Sequence, residues 1–216
     1  MGARLVLALA VAELRFKHKQ MRAIIIFQKN AVLGKVKTRL AASTGNEKAL
    51  EIYQFLTKHT HQELDAVVAD KFLFFSDHLE SPSELHGYKF YVQQGKDLGE
   101  RMYNAFKTVF KLGYHSVIIV GTDCYEMRSK HVNEAFSLLD QSPYVFGPAL
   151  DGGYYLLGTT RPDPSVFIGK KWSHSNVLKE AKDSVLQLDL KFTCIESLSD
   201  IDNIYDLGPL KTKFLD

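Results

Sequence analysis

Cysteine is scarce in this chain, and what the sequence lacks already excludes several classes of protein. Cys124 and Cys194 are the only two among 216 residues, which is too few for a disulfide framework and gives no zinc-ligand spacing. The eight histidines form no His-Glu-x-x-His pattern, and no Gly-x-Ser-x-Gly elbow is present, so neither zinc nor serine hydrolysis is supported. Both cysteines are predicted to be small buried side chains in a reducing compartment.

A large excess of charge of either sign is also missing. Lys and Arg together number 27 against 25 Asp and Glu, for a net charge of +2, so no nucleic-acid or anionic-membrane partner is expected. The apolar run at residues 5–12 is far too short to cross a bilayer. Residues 1–20 are predicted to be an extension outside the fold, with Met21 as the working initiator. Residues 21–216 are predicted to form one cytoplasmic domain.

From residue 22 onward, apolar runs alternate with helical patterns. Strands separated by helices of ordinary length favour βαβ units, and hence an α/β domain with a mostly parallel sheet. The predicted strands cover residues 22–28, 71–76, 88–93, 117–120, 144–148, 154–158 and 191–196, and the predicted helices cover 46–65, 98–112, 130–139 and 177–188, with a last helix starting near Asn203.

The most informative feature is the strand at residues 117–120, which ends in Gly121, Thr122 and Asp123. Four β-branched residues in a row are typical of a strand buried on both faces. An aspartate just beyond the carboxyl end of such a strand lies where open α/β sheets bind ligands, and its oxygens suit a hard metal ion. The alternative is that Asp123 caps the next helix.

A basic loop follows the first strand. Lys29, Lys35, Lys37 and Arg39 place four cations within eleven residues, and Gly34 allows the backbone to approach a ligand. Such a loop could neutralise a di- or triphosphate. It lacks the Gly-Lys-Ser/Thr of a Walker loop, and the alternative is a solvated basic loop.

Two later segments add carboxylates. Asp151, Gly152 and Gly153 lie between two strands and are either a hairpin turn or a ligand-binding loop. Asp200 and Asp202 alternate around Ile201, so an extended backbone points both carboxylates the same way. A second carboxylate from this pair together with Asp123 would suit Mg²⁺ or Mn²⁺, although helix capping by Asp202 or Asn203 is the competing interpretation. Trp172 could line an acceptor pocket.

Taken together and in order, these segments resemble the DUF2064 group of proposed glycosyltransferases, within the nucleotide-diphospho-sugar transferase (GT-A) superfamily. The chain is also similar to the 2-phospho-lactate guanylyltransferase and molybdenum-cofactor nucleotidyltransferase branches. The resemblance implies a three-layer Rossmann-like sheet with helices on both faces. It departs from the family pattern at Ala31, Leu33 and Tyr125, where prolines are usual. The matching segments are residues 24–40 (IIIFQKNAVLGKVKTRL), 97–106 (DLGERMYNAF), 117–127 (VIIVGTDCYEM), 146–158 (FGPALDGGYYLLG), Trp172-Ser173 and 199–207 (SDIDNIYDL).

The resemblance also implies roles for individual residues. The expected cofactor is Mg²⁺ or Mn²⁺, and the expected substrates are a nucleotide-sugar or NTP and a small-molecule acceptor. The predicted site residues are Asp123, Lys37 and Arg39 as catalytic; Lys29, Gly34, Lys35, Lys37, Arg39 and Thr122 as nucleotide-binding; Asp151, Gly152, Gly153 and Trp172 on the acceptor side; and Asp123 and Asp202 as metal ligands.

These expectations describe a metal-dependent transferase that uses an activated nucleotide, in which catalysis is mainly positioning and electrostatics. The first hypothesis is a glycosyltransferase acting on a nucleotide-diphospho-sugar. The alternative is a nucleotidyltransferase that takes an NTP and a phosphorylated or sugar acceptor and releases pyrophosphate. A second alternative is a nucleotide-binding module without catalysis. A Rossmann dehydrogenase is disfavoured because no Gly-x-Gly-x-x-Gly follows the first strand.

Overall fold

The computed structural model describes residues 21–215, so the extension predicted at residues 1–20 lies outside the described residues. Strands and helices alternate along most of the chain, as the apolar periodicity predicts. In chain order the elements are β1 (Arg22–Gln28), α1 (Thr38–Thr44), α2 (Asn46–Asp65), β2 (Asp70–Phe75), β3 (Lys89–Val92), α3 (Leu98–Lys111), β4 (Ser116–Val120), α4 (Ser129–Leu138), β5 (Tyr144–Pro148), β6 (Tyr154–Thr159), α5 (Val177–Gln187), β7 (Phe192–Cys194) and α6 (Leu210–Phe214).

The strands form one seven-stranded sheet in the order β3-β2-β1-β4-β6-β5-β7. All neighbours pair in parallel except β6, which runs antiparallel to both β4 and β5. Because β1, β4 and β5 are parallel, their carboxyl ends meet at one edge of the sheet, and β6 begins at that same edge. Loops from several distant parts of the chain therefore converge there.

Helices cover both faces of the sheet, which confirms the predicted three-layer architecture. Side chains from α2 and α4 pack on one face, and side chains from α3 and α5 pack on the other. Every residue of β4 is buried, as its unbroken β-branched run predicts for a central strand. Among residues 21–215, no helix is both long and apolar enough to cross a membrane.

Four details differ from the sequence-based predictions. Residues 38–44 form a helix, α1, so Arg39 lies in a helix and not in the predicted basic loop. The last strand is only Phe192–Cys194. The expected terminal helix is a 3₁₀ turn at Ile204–Leu207 followed by the short α6. Cys194 is exposed, so the prediction that both cysteines are buried is correct only for Cys124. Short elements at a sheet edge carry little periodicity, which explains these errors.

Substitution of the central core should destabilise the fold strongly. Ile25 in β1 is fully buried, and we expect Ile25→Ala to lower the free energy of unfolding by about 2–5 kcal/mol because it leaves a cavity. Leu186→Ala in α5 is the matched control: Leu186 is 58% exposed, so its effect should stay within about 0.5 kcal/mol. Urea denaturation measures both, and equal losses would contradict this packing.

Candidate active site

A cavity of about 830 Å³ opens at the carboxyl edge of the sheet. Its walls come from the first loop, the ends of β1 and β4, the start of α3, the β5–β6 turn, and two segments near residues 172–177 and 200–202. A cavity of this size, in which polar groups from several segments converge, is the usual form of a small-molecule site. Its charged and polar lining includes Lys29, Lys37, Arg39, Ser76, Gln93, Asp97, Arg101, Thr122, Asp123, Asp151, Tyr154, Trp172, His174, Asp200 and Asp202.

Lys37 lies at the centre of this cavity wall with its ammonium group turned inward. Its side chain is only 4% exposed, and Nζ lies 2.6 Å from Asp123 Oδ1. Nζ also donates to the Ile201 carbonyl oxygen at 2.5 Å and lies 3.9 Å from Asp202 Oδ1. Such short contacts to charged and carbonyl oxygens are strong. Lys37 therefore holds the predicted metal ligands together.

The two predicted metal ligands do converge. The Ile201 amide donates to the Asp123 carbonyl oxygen at 2.9 Å, which ties the carboxyl end of β4 to the acidic segment near the C-terminus. Asp123 does not cap α4, whose N-cap is Arg128. Asn203, rather than Asp202, caps the following 3₁₀ turn, with Asp206 completing the capping box. Both capping alternatives for the predicted ligands are thus removed.

The donor set at this point fits a hard metal ion. Among residues 21–215, no three His, Cys, Asp or Glu side chains lie close enough together to hold a metal without other ligands. Mg²⁺, however, usually takes only one or two protein carboxylates and completes its shell with phosphates and water. Asp123 and Asp202 remain 46% and 42% exposed, so both offer oxygens to the cavity.

Asp200 is a further carboxyl group of the cavity, absent from the predicted set of site residues. Burial, reinforced by the charges of Asp123 and Asp151, raises the pKa of Asp200 to about 7. Lys37 opposes this shift but does not cancel it. A carboxyl group that titrates near neutrality is common in functional sites, because several acids are crowded there out of water. The sequence signal was the alternation around Ile201.

The first loop divides into residues that reach the cavity and residues that do not. Lys29 and Arg39 line it and are exposed, and Arg39 Nη1 donates to Asp202 Oδ2 at 3.3 Å. Gly34 and Lys35 do not line it, so the structure does not bring these two predicted nucleotide-binding residues to the site. Gly34 has φ of +74° and serves the turn.

The start of the loop is held by a tyrosine. The Tyr53 hydroxyl donates to the Lys29 carbonyl oxygen at 2.7 Å. Burial, with a contribution from the Asp123 charge, raises the pKa of Tyr53 to about 12, so the hydroxyl remains a donor at neutral pH. Thr122 is buried beneath the same wall and lines the cavity. These contacts fix the loop at the end of β1.

The predicted acceptor side is a tightly packed second wall. Asp151 Oδ1 accepts from the Gly153 amide at 2.8 Å, so the turn interpretation is correct, and both residues also line the cavity. A Cβ on Gly152 would lie 2.0 Å from the Ser175 carbonyl oxygen; only glycine allows the turn to pack on the segment that carries Trp172.

Trp172 is fixed by another glycine, at the start of α3. A Cβ on Gly99 would lie 2.6 Å from Trp172 Cζ2, so the indole ring packs directly on the helix backbone. Trp172 lines the cavity, and its buried Nε1 has no hydrogen-bond partner among residues 21–215. The same wall contains Asp97, Arg101 and Tyr154, none of which was predicted as a site residue, because helix-capping and apolar patterns explain them equally well.

The raised pKa of Asp200 predicts a specific pH dependence of stability. The folded chain keeps this proton between the ordinary pKa of 3.8 and about 7, where the unfolded chain has released it. Raising the pH through that window therefore lowers the free energy of unfolding. Asp200→Asn cannot titrate, so its stability relative to the wild type should rise from pH 4 to pH 8. Urea denaturation of metal-free protein tests this, and parallel pH curves would contradict it.

The comparisons with known proteins agree with this geometry. The family described as "Uncharacterized protein conserved in bacteria (DUF2064)" matches residues 58–174. One similar structure is that of a proposed nucleotide-diphospho-sugar transferase from Desulfovibrio desulfuricans G20, with 30% identity, a TM-score of 0.80, and coverage of 91% of this chain and 89% of that chain. No curated protein matches the sequence.

More distant structures share the fold. The 2-C-methyl-D-erythritol 4-phosphate cytidylyltransferase of Thermus thermophilus has 11% identity and a TM-score of 0.54, covering 88% of this chain and 97% of that chain. A cytidylyltransferase from Leptospira borgpetersenii serovar Hardjo-bovis has 14% identity and a TM-score of 0.56, covering 91% and 89%. The Desulfovibrio protein is named as a proposed transferase, whereas the two more distant structures show the shared fold alone. The family match spans more than half of this chain, and the chain therefore belongs to the DUF2064 family, with the α/β fold of the nucleotide-diphospho-sugar transferases.

Proposed function

We propose that this protein is a metal-dependent glycosyltransferase that uses a nucleotide-diphospho-sugar and transfers the sugar to a small-molecule acceptor. One observation carries the proposal: a single cavity joins an exposed basic wall, Lys29 and Arg39, to the half-exposed carboxylates Asp123 and Asp202. A diphosphate requires cations on one side and, where a metal bridges it, carboxylate oxygens on the other. The Desulfovibrio relative is likewise named as a proposed nucleotide-diphospho-sugar transferase.

The basic wall would bind and orient the diphosphate. Arg39 is 72% exposed, and its guanidinium can leave Asp202 and engage two phosphate oxygens at once. Lys29 adds a second charge at the end of β1. Asp123 and Asp202 would hold Mg²⁺ or Mn²⁺, which offsets negative charge on the leaving nucleoside diphosphate when bound.

The acceptor wall would position a hydroxyl group and receive its proton. In the proposed reaction the acceptor oxygen bonds to the anomeric carbon, the bond from that carbon to phosphate breaks, and the nucleoside diphosphate leaves. Asp151 is the candidate base, because Oδ1 accepts from the Gly153 amide while Oδ2 accepts no hydrogen bond from any residue in the described range 21–215. His174 is less suited, since its Nδ1 accepts from the Asn176 amide and its Nε2 contacts the Lys171 carbonyl oxygen.

Nucleotidyl transfer is the second candidate. The same basic wall could offset charge on departing pyrophosphate, and the backbone tie between Ile201 and Asp123 places the second carboxylate equally well for an NTP. A module that binds nucleotide without catalysis would keep the basic wall and need neither carboxylate. The nucleotide preference and the metal dependence distinguish these candidates.

A ligand panel tests which nucleotide the cavity takes. We expect nucleotide-diphospho-sugars with Mn²⁺ to raise the melting temperature, since a ligand at about 100 times its Kd adds roughly 2.7 kcal/mol to the free energy of unfolding. Thermal-shift measurements should include the NTPs, nucleoside diphosphates and nucleotide-diphospho-sugars of each base, with and without Mn²⁺. Stabilisation by NTPs rather than nucleotide-sugars would favour nucleotidyl transfer instead.

Substitution of Asp123 tests the metal site. Asp123→Asn removes one of the two negative charges proposed to bind the metal. We therefore expect the apparent affinity for nucleotide in the presence of Mn²⁺ to fall at least about tenfold. Asp183→Asn is the matched control, because Asp183 lies on α5 and pairs with Lys179 outside the cavity. If Asp123→Asn and Asp183→Asn bind nucleotide with Mn²⁺ as the wild type does, the metal proposal fails.

A further inference from the structure

Lys37 is held in one position by its backbone and its neighbours, unlike a phosphate-binding lysine in a mobile loop. Its backbone is left-handed, with φ of 47°, a conformation uncommon for a residue with a side chain. The neighbouring Val36 is buried, and Leu40 packs with Ile201 in the small apolar cluster beside α1. The backbone and its neighbours therefore hold the ammonium in place.

Two of the three hydrogen-bond donors of the Lys37 ammonium are already used, and a third carboxylate oxygen lies nearby. An ammonium group has three donors, and Nζ contacts the Ile201 carbonyl oxygen at 2.5 Å, Asp123 Oδ1 at 2.6 Å and, more distantly, Asp202 Oδ1 at 3.9 Å. The side chain is 4% exposed. A phosphate that displaced Asp123 would take the closest anionic partner from a buried ammonium group, and removing the partner of a buried charge is costly. Lys29 and Arg39 can bind phosphate without that cost.

The same contacts change what the acidic pair can do. A divalent cation binds where negative charge is uncompensated. Here Asp123 is partnered by Lys37, and Asp202 is partnered by Arg39 at 3.3 Å. The four charges sum to zero in the free protein. The two pairs differ in their cations, however: the Lys37 side chain is 4% exposed and the Arg39 side chain is 72% exposed. The exposed Arg39 pair is therefore the one that is more easily broken.

We infer that Lys37 is a fixed internal counter-ion of Asp123 and Asp202. Its positive charge prevents these carboxylates from binding a divalent metal ion until a nucleotide binds. This inference rests on the proposed function. Phosphate groups attract Arg39 away from Asp202 and supply their own oxygens, so that a metal site exists only in the nucleotide complex. Lys37 is thus a positioning residue for Asp123 and Asp202, and the metal enters together with the nucleotide.

Metal binding to the nucleotide-free protein tests this directly. Free Mn²⁺ is measured by electron paramagnetic resonance with wild-type protein, Lys37→Met, and Lys179→Met, an exposed α5 lysine paired with Asp183. We expect millimolar or weaker binding by the wild type and by Lys179→Met. Lys37→Met should bind Mn²⁺ at least about tenfold more tightly, because two adjacent carboxylates lose their compensating charge. A folded Lys37→Met that binds no tighter than the wild type would overturn the inference.

The wild type alone decides the question if Lys37→Met does not fold. Its Mn²⁺ binding is compared without nucleotide and with ADP, CDP, GDP and UDP in turn, against the same Mn²⁺–nucleotide solutions without protein. Micromolar binding without nucleotide would overturn the inference while leaving the proposed function intact. Tighter Mn²⁺ binding by Lys37→Met with no effect of any nucleotide would support the counter-ion but contradict the proposed function.

Discussion

The contact of the Lys37 ammonium with Asp123 and the Ile201 carbonyl oxygen is the interaction on which the site depends. Lys37 and Ile201 are 164 residues apart in the chain, and Asp123 ends the central strand between them. One side chain thus joins the first loop, the middle of the sheet and the C-terminal acidic segment. A buried charge is tolerated only where its partners are close and complete, so this contact demands a single arrangement of all three segments.

The sheet supplies the geometry that makes such a contact possible. Parallel β1 and β4 end at the same edge, so Lys29 and Asp123 emerge side by side. β5 brings the chain back to that edge, and Asp151 belongs to the turn between β5 and the antiparallel β6. Close backbone packing at Gly152 then fixes the segment carrying Trp172. The proposed acceptor side and the proposed metal ligands thus come from different segments that meet at one edge of the sheet.

Much of this could be predicted from residues alone, and the failures have physical causes. The β-branched run predicted a strand buried on both faces, and β4 is buried throughout, because burial on both faces leaves a clear apolar pattern. Asp123 follows that strand and lines the cavity, as its position at the end of β4 predicted. The orientation of Lys37 could not be predicted, since a lysine in a basic loop has the same sequence signature whether it faces solvent or carboxylates. Asp200 was visible as one of an alternating pair, but its raised pKa comes from burial and from Asp123 and Asp151, which are distant in sequence.

The balance of charge in the cavity argues for a sequence of events at the site. Five aspartates line it against four cations, and Lys37 is already committed to the carboxylates. An anionic nucleotide entering this cavity meets carboxylate repulsion unless it approaches along Lys29 and Arg39. Engaging Arg39 frees Asp202, and the resulting excess of negative charge is what a divalent cation stabilises. Nucleotide and metal therefore favour each other's binding, as linkage requires, without any movement of the buried lysine.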